Sequence, residues 1–169
     1  MIGPLPISHA ALLGITFLLG GSLFLFFFFW SISKMPSLNK APADVAIPSM
    51  NAINKALKTP LFSSAFFLTP LAYLACGLLT QYIAQHGGAL FFYLSGIIYV
   101  IGVVIVTGTI NEPLNFQLAQ VKTAASNDNQ QTWQTYSTKW QFWNNLRTLS
   151  SGIALLLFFI GVFFLLKYD

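Results

Sequence analysis

The chain has 169 residues, 56% of them apolar and 7% charged, with four acidic and eight basic side chains for a formal net charge of +4. A soluble globular domain carries roughly 25% charged residues, so this composition excludes one: there is too little charge to solvate a surface, and the rest of that surface is expected to face lipid. The length suits a single domain over residues 1–169.

The basic residues stand singly, without the stripe that nucleic acid requires, and no nucleic-acid partner is expected. In a membrane protein such an excess reflects topology. Cys76 is the only cysteine, so no intrachain disulfide forms.

A bilayer core of about 30 Å needs about 20 helical residues to cross it. Four stretches qualify, at about 9–33, 61–84, 89–110 and 149–166. Each must be helical, because an open strand would leave backbone polar groups unpaired in hydrocarbon. The expected fold class is therefore an all-α membrane protein, a four-helix transmembrane bundle with short amphipathic helices in the two long connections. The first apolar stretch has no Lys or Arg before it and is too long for a cleavable signal core, so it is expected to remain as a span.

The connection at 34–60 contains a predicted amphipathic helix over 44–57, with Val45, Ile47, Met50, Ile53 and Leu57 at near-helical spacing. Pro70 falls midway along the second span, where neighbouring helices absorb a kink. Gln85-His86-Gly87-Gly88 reads as a tight turn that makes spans two and three a hairpin. The third connection, 111–148, is again long. The two long connections lie on one side and hold seven of the eight basic residues, Lys34, Lys40, Lys55, Lys58, Lys122, Lys139 and Arg147. The positive-inside rule makes that side cytoplasmic, with both termini outside.

Two motifs occupy the third connection. In Asn111-Glu112-Pro113-Leu114-Asn115, Pro113 suits the first turn of a new helix and Asn111 its N-cap, so a helix over 112–124 is predicted to leave span three at an angle. The second motif carries Trp133, Tyr136, Trp140, Trp143, Asn144, Arg147 and Ser151. At 100° per residue Trp133, Trp140, Asn144, Arg147 and Ser151 fall within a sector of about 60°, flanked by Tyr136 and Trp143. No Gly or Pro interrupts 132–151, which predicts one helix continuous with span four. An aromatic stripe of this kind also describes an interfacial packing belt. Asn144 and Arg147 on the same face argue for more, since an inward arginine near a span is unfavourable unless paired. Glu112 is the expected partner.

The pattern Asn111-x-Pro113-x-Asn115, followed by Trp133, Tyr136, Trp140, Trp143-Asn144 and Arg147, resembles the anthrone oxygenase-like family of small four-helix membrane proteins. The spacing Trp-x-x-Trp-Asn-x-x-Arg before the last span is its more specific half. Members of that family are associated with oxidising polyketide anthrones to anthraquinones. The resemblance implies an oxidation by O2 that proceeds through the substrate's own carbanion, without metal or flavin. Such a reaction needs a base, hydrogen-bond donors, a cation and flat apolar walls. The residues that suit these roles are Glu112 as base, Asn111, Asn115 and Asn144 as donors, Arg147 as cation, and Trp133, Tyr136, Trp140 and Trp143 as walls. No cofactor is expected. A haem or copper site at His9 and His86 is the weaker reading, because lone interfacial histidines are usually solvated.

The first expectation is thus oxidation of a planar lipophilic polyphenol or quinol in a cytoplasmic-side pocket. The alternative is a non-catalytic membrane subunit or binding protein that holds a lipid, a quinone or a partner helix. Transport ranks last, since spans one to three carry no acidic or basic side chain in their interiors. The partners expected are the lipid bilayer and a lipophilic small molecule, with a protein partner as an alternative.

Overall fold

The structure is a computed structural model and describes residues 7–84, 88–121 and 128–168. All its regular elements are helical, and four of its helices are long and apolar enough to cross a membrane. The protein is a multi-pass membrane protein.

Helix α1 (Ile7–Phe29) runs through a π-helical turn at Trp30–Lys34 into the short α2 (Met35–Leu38). Helix α3 (Ala43–Leu57) is followed at once by α4 (Pro60–Ala84), the second span. The third span starts as α5 (Gly88–Tyr99), passes through two π-helical turns at Val100–Ile105 and Thr107–Asn111, and ends as α6 (Glu112–Ala119). The last, α7 (Asn129–Tyr168), is one unbroken helix of 40 residues. At 1.5 Å per residue it is about 60 Å long, twice the thickness of a bilayer core. Its apolar half crosses the membrane, and its aromatic and polar half stands on the side of α3 and α6. The tight turn expected around Gln85-His86-Gly87 lies outside the described residues, as does Lys122.

The third span corrects the expectation at Asn111. Its helix does not stop there. Asn111 keeps helical backbone angles (φ −69°, ψ −41°) and its side chain makes no capping bond. The wide turn at Thr107–Asn111 lies immediately before Pro113, where a normal turn would set a carbonyl against the proline ring. A π turn displaces that carbonyl, so the helix carries the proline without ending.

Lipid gives helices no hydrophobic reason to associate, so close packing must hold the bundle. One interior cluster joins Leu23 and Phe27 of α1, Phe66, Tyr73 and Cys76 of α4, Phe92 and Tyr99 of α5, and Ala154 and Phe158 of α7. Small residues permit the closest approaches. A Cβ on Gly88 would stand 3.1 Å from the carbonyl oxygen of Gly161, and one on Gly161 3.2 Å from that of Gly88. On the outside Ile15, Leu18, Leu68, Leu71, Ile97, Ile101, Ile153 and Leu156 remain exposed, as a lipid-facing surface demands.

A second cluster forms a layer beyond this core. Ala43, Ala46, Ile47 and Met50 of α3 pack with Trp30, Met35 and Leu118 against Trp133, Tyr136 and Trp140 of α7. Val45, by contrast, is 52% exposed. The buried face of α3 is therefore rotated from the one that the spacing of its large apolar residues suggests.

Candidate functional site

A cavity of about 590 Å³ lies between the transmembrane core and the α3 layer. Every span contributes to it. Phe26 and Phe27 come from the end of α1, Trp30 from the π turn after it, Phe62, Ser63, Phe66 and Phe67 from the start of α4, and Thr107, Glu112 and Asn115 from the end of the third span. Trp140 and Arg147 come from α7, and Asn54, Leu57, Lys58, Thr59 and Pro60 from the α3–α4 junction. Five phenylalanines and two tryptophans supply its aromatic walls. Phe26 and Phe62 close one of them with ring centroids 5.1 Å apart.

Arg147 is the central feature. It is 6% exposed, although it stands only two residues before the apolar run of α7. Its guanidinium lies 4.8 Å from the centroid of the Phe27 ring and 5.1 Å from that of Trp140, so aromatic faces cover it on two sides. Nη1 donates to the Thr107 hydroxyl at 3.2 Å and Nη2 to the Asn144 side-chain oxygen at 2.9 Å. Its Nε has no partner among the described residues.

Asn144 fixes that guanidinium to another helix. While Oδ1 accepts from Arg147, Nδ2 donates to the Phe27 carbonyl at 3.1 Å and to the Ser31 hydroxyl at 2.9 Å. Ser31 also pairs with Thr148 at 3.1 Å. The backbone of span one is thereby held against α7 beside the arginine. The spacing Asn144-x-x-Arg147 makes this possible, because residues three apart in a helix share a face.

Glu112 corrects the expectation for the arginine's partner. Its Oε2 lies 3.1 Å from Lys58 Nζ, and its Oε1 accepts from Asn115 Nδ2 at 3.2 Å. Lys58 sits at the junction of α3 and α4, where it reaches Glu112 across the cavity mouth. The two side chains are 65% and 45% exposed, so the pair is solvated. Asn115 in turn receives the Tyr136 hydroxyl at 2.8 Å and the Trp140 indole N–H at 3.0 Å, both on Oδ1. Its amide thus links the carboxylate at the mouth to the aromatic wall.

Of the nine residues singled out from the sequence, the cavity brings together Glu112, Asn115, Trp140 and Arg147. Asn144 stands behind Arg147. Tyr136 is one bond away through Asn115, and Trp133 belongs to the outer packing layer. Trp143 is half-buried and packs edge-on with Phe142, away from the cavity. Asn111 is buried with neither side-chain atom bonded among the described residues, and it too is off the cavity wall. Sequence reasoning missed Lys58, Phe27, Trp30 and the phenylalanines of α4. The basic residue just before a span was a signal for Lys58; the uniform Phe run of α1 offered no period from which to choose a face.

His9 is not a solvated interfacial residue. It is fully buried, with Nε2 3.2 Å from the Thr80 hydroxyl of α4. His86, its expected companion, lies outside the described residues.

These features define a class: a four-helix membrane protein whose spans enclose an aromatic cavity around a buried arginine. The family model for anthrone oxygenase matches residues 59–157, more than half of the chain and including both motifs of the third connection. The chain belongs to the anthrone oxygenase family. No curated protein and no solved structure matches it.

Proposed function

We propose that this protein is a membrane oxygenase that oxidises a planar lipophilic substrate of the anthrone, polyphenol or quinol type in the cavity around Arg147. The observation that carries the reading is the setting of that guanidinium, held between the Phe27 and Trp140 rings with its Nε–H unused among the described residues. A flat substrate fits between aromatic walls. A cation aimed along them stabilises the oxyanion that forms when the substrate loses a proton.

For an anthrone, the methylene carbon gives up a proton, and the resulting anion passes one electron to O2. The radical pair combines to a peroxide anion, which takes the proton back to become a hydroperoxide and then loses water to leave the carbonyl. Glu112 is the carboxylate on the cavity wall and takes the proton, Arg147 holds the oxyanion, and Asn144 keeps Arg147 in place. Asn115 orients Glu112. No metal or flavin is required for this sequence. The basic residues of the long connections favour the cytoplasmic side for the cavity and the outside for both termini.

A second reading is a binding protein without turnover. The engagement of both Glu112 oxygens favours it, since a carboxylate already meeting Lys58 and Asn115 is less available to a substrate proton. Oxygen uptake by the purified protein in nanodiscs with an anthrone or hydroquinone separates the two. The oxygenase reading expects uptake that Arg147→Ala and Glu112→Ala each reduce by roughly a hundredfold, the usual scale for an oxyanion donor or a general base. Turnover unchanged in either variant would refute the assignment of roles.

A further inference from the structure

Three charged side chains line the cavity, and they are not equivalent. Lys58 and Glu112 neutralise each other at the open mouth, 3.1 Å apart. Arg147 is enclosed, and its two hydrogen-bond acceptors, the Thr107 hydroxyl and the Asn144 amide oxygen, are both neutral. The rings of Phe27 and Trp140 cover its faces, and on its edge Nε–H lacks a partner among the described residues. A buried guanidinium with neutral partners and a spare donor is unfavourable in an apolar bundle unless an anion meets it.

We propose that the ligand of this cavity is a lipophilic monoanion, its charged oxygen on the edge of Arg147 and its apolar body along the phenylalanine wall. With Lys58 and Glu112 paired, the charged side chains that line the cavity sum to plus one, which a monoanion balances. The inference rests on the cavity being the ligand site, as proposed above, and goes beyond it by naming the charge state that binds. For a substrate, that anion is the oxyanion that Arg147 holds in the reaction above. A fatty acid carries the same chemistry, so the two sources must be told apart.

The test is a titration of tryptophan fluorescence, since Trp30 and Trp140 line the cavity. The intact protein in phosphatidylcholine nanodiscs is titrated at pH 7 with anthracene-9-carboxylate, with the neutral anthracene-9-methanol of nearly the same shape, and with oleate. The carboxylate is expected to bind about tenfold or more tightly than the alcohol, the scale of one charge-assisted hydrogen bond. Arg147→Gln abolishes that preference, whereas Glu112→Gln keeps or strengthens it.

Equal affinity for acid and alcohol in the unaltered protein overturns the proposal without reliance on any variant, and so does loss of the preference in Glu112→Gln. Oleate binding as tightly as the aromatic acid, with the same dependence on Arg147, supports the charge requirement and assigns the anion to the lipid pool. In that case the planar-substrate reading fails while this one stands. Equal binding of acid and alcohol with oxygen uptake intact sinks this one alone.

Discussion

Removing Asn144 tests the arrangement around Arg147 most directly. In Asn144→Ala three hydrogen bonds are lost at once: the charge-assisted bond from Arg147 at 2.9 Å, and those to the Phe27 carbonyl and the Ser31 hydroxyl at 3.1 and 2.9 Å. A hydrogen bond to a charged group is worth about 2 kcal/mol. Bonds between neutral side chains inside membrane bundles average about 0.6 kcal/mol each. The expected loss is therefore about 3 kcal/mol, a large share of the stability of any protein. Ser31→Ala, which removes the neutral bonds to Asn144, Thr148 and the Phe27 carbonyl, should cost about 2 kcal/mol on the same scale. Equilibrium unfolding in mixed micelles, followed by circular dichroism, reads both values. Ligand titration reads a second consequence, because a guanidinium freed from Asn144 turns away from the cavity and affinity falls. A loss below about 1 kcal/mol together with unchanged ligand affinity would refute the claim that Asn144 positions the arginine.

Three further outcomes follow from the packing. Tyr136→Phe removes the 2.8 Å bond to Asn115 but leaves the Trp140 bond to the same oxygen; it should cost about 1 kcal/mol with ligand affinity unchanged, and a large affinity loss would place Tyr136 in the site after all. Gly20→Ala puts a methyl group where the Tyr73 hydroxyl lies, an overpacking expected to cost about 1–3 kcal/mol. Tyr73→Phe in the same chain should restore most of that loss, and failure of the double variant to recover would show the clash is not the cause. Ser63→Trp adds an indole at an exposed position that lines the cavity, so ligand binding should vanish while stability moves by less than about 0.5 kcal/mol.

Hydropathy made the four spans legible, because a helix that must pair its own backbone in lipid leaves a run of about 20 apolar residues in the sequence. The unbroken α7 was legible too, since nothing between Thr132 and Ser151 interrupts a helix. Helical periodicity alone put Trp140, Asn144 and Arg147 on one face, and all three are buried.

Other features depended on tertiary contacts that no local pattern records. Glu112 meets Lys58, a residue from the other long connection, and only the packing of α3 under the bundle brings the two together. Phe26, Phe27 and Trp30 belong to a uniformly apolar stretch, so no periodicity distinguishes wall from lipid-facing surface. The turn chemistry around Pro113 suggested a new helix with Asn111 as its cap, but a π turn carries the helix through. His9 resembled a solvated residue until Thr80 of α4 was placed beside it.

The unbroken length of α7 ties the cavity to the thickness of the surrounding membrane. One rigid rod carries both the lipid-anchored segment and, two residues before it, the guanidinium. A helix longer or shorter than the local hydrocarbon depth responds to mismatch by tilting. Any such tilt swings Arg147 relative to the Phe27 ring on the neighbouring span, so acyl-chain length becomes a variable that reaches the binding site without any ligand touching it.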